Sequence, residues 1–408
     1  MKISLPRAII SLTSALDFVG IDEVQHGKRV ALMAFGMAVE LGWNAVRRRD
    51  VLYAGMLHDC GVSRNQEHRQ LTDTLEWEGA EEHCLRGEQF LLACSPLARF
   101  APAIRWHHTR WEVLLATPVA EEDKQLANLI YLADRADTLL APYVSGRVLA
   151  DEILWEHPAI TRRLEGLSGT LFKPEFVQAF SRAAEREAFW LCMDPSYIFD
   201  EIETHLQEEV PVELDTANAL AVAGLFARIT DAKSNYTLEH STRVSRIARF
   251  LAAASGIAGD ELDKVEIAGL LHDIGKLRVP EAIIDKPSEI TPAERAYVKR
   301  HSYDTGRILK KVFPGEAIGD WASMHHENLL GTGYPDHLEA AQISTEARLI
   351  SVADIFQALS QERPYRTRLG REEVMAQLDD MLALGRLDRR MVDLVRSHLE
   401  QCYSLAVD

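Results

Sequence analysis

Two ordered sets of histidines and aspartates recur along this chain at matching intervals. The first runs His26, His58-Asp59, His83, His107-His108, Asp134; the second runs His240, His272-Asp273, His301, His325-His326, Asp354. His26 to His58 spans 32 residues, as does His240 to His272. His83 to His107 spans 24, as does His301 to His325. The local sequences agree too. MLHDCGV (Met56–Val62) answers LLHDIGK (Leu270–Lys276), and ANLIYLADRADTL answers ARLISVADIFQAL. One shared interval would mean little. Two shared intervals and two shared local patterns imply a duplicated unit, so one fold must serve both halves.

The fold class follows from periodicity. Stretches such as ALAVAGLFARI and RVSRIARFLAAAS carry apolar residues three and four apart, and strand-like alternation is scarce. The expectation is an all-α chain of two tandem helical bundles. The boundaries read as residues 1–204 for the first unit with trailing helices, 205–215 for an acidic linker containing Pro211, and 216–408 for the second unit.

Each set offers five imidazoles and two carboxylates, a mixture suited to iron, manganese or similar divalent metals. Seven such groups exceed the needs of one tetrahedral ion and suit two ions sharing an aspartate. Two ions about 3.5–4 Å apart favour in-line hydrolysis of a phosphate ester. Lys276, three residues after Asp273, falls one helical turn from His272 and faces the same site. The chain carries net charge −17, which argues against nucleic-acid polymers and anionic membranes as partners. The stretch Lys276–Lys311 is a basic exception: it is either a local site for an anion or a solvated helix face. The five cysteines (60, 84, 94, 192, 402) form no CxxC and read as reduced thiols, and no apolar run is long enough to span a membrane. A cytoplasmic protein is expected, with no receiver, PAS-like or membrane module ahead of the first unit.

The motifs HDIGK, HHENLLGTGYP and VADIFQALSQERPYR resemble the HD-GYP branch of the HD phosphohydrolase superfamily, over residues 216–400. The first unit resembles a plain, divergent HD domain. The resemblance implies an all-helical fold and a metal-dependent phosphodiesterase. The expected substrate is cyclic di-GMP, cleaved to pGpG and in some members GMP by a hydroxide that two metal ions activate. It implies His240, His272, Asp273, His301, His325, His326 and Asp354 as metal ligands, with Asp273 as the bridge. It also implies Lys276 beside the reacting water, Tyr334 of the GYP segment near substrate, and Arg363 and Arg366 on its phosphates.

Departures from the pattern shape the reading. Tyr236 stands where members with a third metal carry a glutamate, so two metals are expected. Leu330 and Gln357 replace aspartates, and neither change removes a ligand. The first unit keeps its ligand types at His26, His58, Asp59, His83, His107, His108 and Asp134, with Asp22 as an extra carboxylate four residues before His26. It has Val62 in place of Lys276 and lacks GYP and RPYR, so a structural or regulatory role is expected there, with a metal of its own as a candidate. Rival readings are a preference for 3′3′-cyclic GMP-AMP, a broad nucleotide phosphohydrolase, and a receptor that binds a cyclic dinucleotide without cleaving it. A second copy of the chain or a signalling protein is the candidate macromolecular partner.

Overall fold

Helices carry the described chain because apolar residues recur on one face of each. The helix His240–Ala254 buries His240, Val244, Ile247, Ala248, Leu251 and Ala252, a stripe at three- and four-residue spacing. Full burial of each large aliphatic side chain in such a stripe contributes roughly 1.5–3 kcal/mol before chain entropy is counted. The computed structural model describes residues 3–17, 25–62, 79–145, 148–207, 213–234, 239–362 and 367–407. Among them the fold is all-α; strand structure is limited to two pairs of two-residue strands.

The contacts divide the chain into two units. One comprises residues 5–212; the other comprises residues 1–4 with residues 213–408. Ile3–Ser4 pairs antiparallel with Glu213–Leu214, which ties the first residues to the second unit. Of the expected linker, residues 208–212 lie outside the described residues.

In the first unit the site-bearing helices are α1 (His26–Glu40), α2 (Ala45–Leu57), α3 (Ala80–Leu92), α4 (Ala101–Trp106) and α5 (Glu121–Leu140). In the second they are α6 (Thr216–Asp231), α7 (His240–Ala254), α8 (Asp260–Leu271), α9 (Pro292–Val312), α10 (Ile318–Ser323) and α11 (Thr345–Leu359). The sequence sets several of their starts. Thr291 and Glu294 form a reciprocal capping box at α9, with Pro292 in its first turn. Such a cap contributes about 1 kcal/mol.

One close crossing recurs in both units. A Cβ placed on Gly269 of α8 would lie 2.8 Å from Ser245 Cα of α7, and one on Gly55 would lie 2.5 Å from Ala31 Cα. Only glycine permits that approach, which brings the helix starting with the first histidine against the helix ending in the HisAsp pair. Gly275, just past that pair, is equally constrained: a Cβ there would fall 2.1 Å from the His301 carbonyl oxygen.

Candidate metal centres

In the second unit five helical elements converge on Asp273. His240 is the first residue of α7, His272 follows the end of α8, and His301 lies on α9. His325 and His326 occupy a 3₁₀ turn after α10, and Asp354 lies on α11. Thr305 of α9 locks the HisAsp turn in place. Its hydroxyl donates to the His272 carbonyl at 3.0 Å and accepts from the Gly275 amide at 3.1 Å.

The two oxygens of Asp273 face different partners. Oδ2 lies 3.4 Å from His240 Nε2 and 3.4 Å from His272 Nε2. Oδ1 lies 3.4 Å from His301 Nε2 and 3.7 Å from His325 Nε2. Asp354 Oδ1 joins the first group, 3.3 Å from His240 Nε2 and 3.8 Å from His272 Nε2. His326 joins the second, its ring tilted against that of His325 with 4.0 Å between centroids. One carboxylate thus stands between two half-cages.

The imidazoles are oriented by their outer nitrogens. Nδ1–H of His272, His301 and His325 donates to the carbonyls of Gly269, Val298 and Ala322 at 2.6–2.7 Å. His240 Nδ1–H donates to Gln357 Oε1 at 2.6 Å. The Nε2 atoms of these four imidazoles are then left facing inward, the arrangement typical of metal-ligating histidines. The Nε2 atoms of His301 and His325 are 3.2 Å apart with no proton to share. His240 Nε2, His272 Nε2 and Asp273 Oδ1 are buried without a hydrogen-bond partner. Each such orphan costs roughly 1–3 kcal/mol, and divalent cations would satisfy all of them. The donor set therefore fits divalent metal.

The electrostatics agree. Burial drives the His301 and His326 imidazoles down to about 3 and about 4, so they are neutral and ready to ligate. Burial alone would raise the Asp273 carboxyl, but His272 and Lys276 hold it well below the usual range. Burial would likewise lower His240, yet Asp273 and Asp354 draw a proton onto it and raise it to about 9. A site that demands a positive charge takes a proton where no metal supplies one.

Lys276 reaches the same carboxylate, its Nζ 2.5 Å from Asp273 Oδ2, while staying partly exposed. Tyr334 packs on the other side, its ring 4.8 Å from that of His326, with Lys299 Nζ 5.3 Å above it. The Tyr334–Pro335 peptide is cis. Arg363 and Arg366 lie outside the described residues, as do Tyr236 and Asp22. Several cations of the basic stretch are paired with nearby acids: Arg278 and Arg300 with Asp304, Lys286 with Glu294, Lys310 with Asp320.

The first unit repeats the cage. Asp59 Oδ2 faces His58 at 3.3 Å and His26 at 3.7 Å; Oδ1 faces His83 at 3.5 Å and His107 at 3.8 Å. Asp134 lies 3.4 Å from His26 Nε2 and 3.8 Å from His108 Nδ1. Its surroundings differ. Arg135, where the second unit has Ile355, is buried and clasps Asp134 Oδ2 at 2.6 Å. Asp137, the counterpart of Gln357, accepts from His26 Nδ1 at 2.7 Å and from Arg29 at 2.6 and 2.9 Å. His83 Nδ1 has no partner among the described residues. Cys84 replaces Ser302 and lies 3.5 Å from His107 Nδ1. Periodicity did not expose Arg135, Asp137 and Arg29; lining up the two LAD/VAD segments would have exposed the first two.

Comparison with known proteins gives an HD domain model at residues 24–139 and a second HD domain model at residues 224–391. The chain is 34% identical over 412 residues to 3′3′-cGAMP-specific phosphodiesterase 1 of Vibrio cholerae, covering all of this chain and 94% of that protein. It is 35% identical over 184 residues to a cyclic di-GMP phosphodiesterase response regulator of Xanthomonas campestris, covering 43% of this chain and 47% of that protein. Among solved structures, a cyclic GMP-AMP-specific phosphodiesterase of V. cholerae aligns over 98% of both chains, with TM-score 0.65 and 23% identity.

Proposed function

This chain belongs to the tandem HD-domain phosphodiesterases, and on that footing we propose that its second unit opens cyclic dinucleotides by metal-dependent hydrolysis, with 3′3′-cyclic GMP-AMP as preferred substrate. The observation that carries the chemistry is the Asp273 carboxylate shared between two histidine groups with Lys276 on its outer side. The sequence expectation placed cyclic di-GMP first. The relative matched from end to end, both units included, is named for cyclic GMP-AMP, whereas the cyclic di-GMP relative is matched over less than half its length. That contrast favours cyclic GMP-AMP, with cyclic di-GMP as the second reading.

In this proposal His240, His272, Asp354, His301, His325, His326 and Asp273 would hold divalent metal, two ions on the sequence reading. The ions supply an acidified water and a positive field for the phosphate. The protein's own groups then act around them. The backbone carbonyls behind His272, His301 and His325 keep each Nε2 free of a proton and aimed inward. Lys276 keeps a positive charge beside the shared carboxylate, where it opposes the negative charge that grows on the phosphate. Tyr334, packed against His326, forms an apolar wall for the substrate, and Arg363 with Arg366 take its phosphates. The first unit is assigned a structural or regulatory role because it lacks Lys276, GYP and RPYR. A side-by-side assay of purified, Mn²⁺- or Fe²⁺-loaded protein tests the reading. It requires linear product from cyclic GMP-AMP at a higher kcat/KM than from cyclic di-GMP. Tight binding without any product would replace it with the receptor reading.

A further inference from the structure

Beside the catalytic centre, the second unit holds a cavity of about 640 Å³ that none of the assigned roles uses. Its size falls within the range of small-molecule pockets, roughly 300–1,000 Å³. Lys276 is among its lining residues, so the cavity adjoins the group that touches Asp273. Its walls are Val279, Ile283, Ile290 and Val298, from the segment after the HisAsp turn and the first part of α9. Apart from buried Val279, these walls are only half-buried. A chain with net charge −17 leaves apolar surface open here, next to a catalytic lysine.

Two charged side chains on the lining, both solvent-exposed at the cavity's rim, are uncommitted. Glu289 and Arg295 make no side-chain ion pair or hydrogen bond among the described residues, whereas neighbouring Lys286 is bound by Glu294 at 2.7 Å. A free carboxylate facing a dianionic substrate is repulsive unless N–H donors meet it. The Watson–Crick edge of guanine carries two adjacent donors, N1–H and the N2 amino group; adenine has no such pair.

We propose that this cavity receives the guanine nucleoside of the cyclic dinucleotide, its ring between Ile283, Ile290 and Val298 and its Watson–Crick edge on Glu289. Arg295 then lies on the phosphate side of the same nucleotide. The proposal rests on the reading of the second unit as a cyclic-dinucleotide phosphodiesterase, and it names the residues that recognise the base.

The experiment compares the metal-loaded full chain with its Ile283→Asp and Glu289→Ala variants. The substrates are cyclic GMP-AMP, cyclic di-AMP and bis(p-nitrophenyl) phosphate, a small diester with no base to bind. Ile283→Asp raises KM for cyclic GMP-AMP by roughly tenfold or more and leaves hydrolysis of the small diester unchanged. Glu289→Ala lowers the preference for cyclic GMP-AMP over cyclic di-AMP by roughly tenfold. If Ile283→Asp loses the small diester as well, Ile283→Ala decides: a raised KM on the dinucleotide alone upholds the cavity, and an unchanged KM overturns it. An unchanged preference in Glu289→Ala overturns the guanine assignment. Cleavage of cyclic dinucleotides by the unsubstituted chain with no response in the Ile283 variants removes the cavity alone. Failure of the unsubstituted chain to cleave any of them removes the underlying reading.

Discussion

The two cages differ less in their ligands than in the charges behind them. In the second unit the extra positive charge, Lys276, touches the shared aspartate and stays partly exposed. In the first the position is Val62, and a buried arginine, Arg135, instead grips the terminal aspartate. One arrangement leaves a cation where an incoming phosphate can use it. The other spends its cation on a ligand inside the protein. The supports of the first histidine are inverted as well. His26 leans on a carboxylate that Arg29 secures, while His240 leans on the neutral amide of Gln357. A duplicated frame can thus keep its geometry while the charges behind its two copies are rearranged.

The largest expected effect separates the cages outright. Asp273→Asn lowers turnover of the cyclic dinucleotide at least about 10³-fold, because it removes the charge shared by both half-cages. Asp59→Asn changes it less than about threefold. Equal losses in steady-state assays would make the first unit catalytic. Next comes the lysine. Lys276→Ala lowers kcat by about 10²–10³-fold with substrate affinity retained, the scale of removing one preorganised charge. Full turnover in that variant would leave Lys276 without its assigned role.

The support behind the first histidine is worth less, and it can be swapped. Gln357→Asp tightens metal binding at the second cage by roughly tenfold, and Asp137→Asn weakens it at the first by a similar factor. Metal titration followed by calorimetry reads both, and no change in either would show that the cages do not depend on this partner. The smallest effect is in pH. The metal-free second cage carries a proton on His240 up to about pH 9. Metal must displace that proton, so affinity at this cage rises with pH and levels off above about 9. An affinity independent of pH between 7 and 9 would contradict that proton's place.

Much of the site was legible beforehand because its ligands recur at fixed intervals on helices and turns. The close crossing at Gly55 and Gly269 turns those intervals into position. The HisAsp pairs, the HisHis turns and the final aspartates were readable for that reason. The pairing of Gln357 with His240 was not, since the two are 117 residues apart and no local pattern links them. Gln357 stood out only as a departure from the family pattern, with no partner to explain it. Nothing in LADRAD marks Arg135, because its burial beside Asp134 is set by packing between helices. The pairing of residues 3–4 with 213–214 was equally hidden, because two-residue strands carry no periodicity.

The sequence by itself determined the duplication, the helical class, both histidine–aspartate sets and the absence of the lysine from the first copy. These are properties of residue type and spacing, which the helix period converts directly into faces. Only the tertiary structure decided which oxygen of Asp273 serves which histidines. It alone decided which buried cation neutralises which aspartate, and that an open apolar cavity adjoins Lys276. Those outcomes depend on where separate helices cross, and burial makes each unpaired charge too costly to leave without a partner found in space.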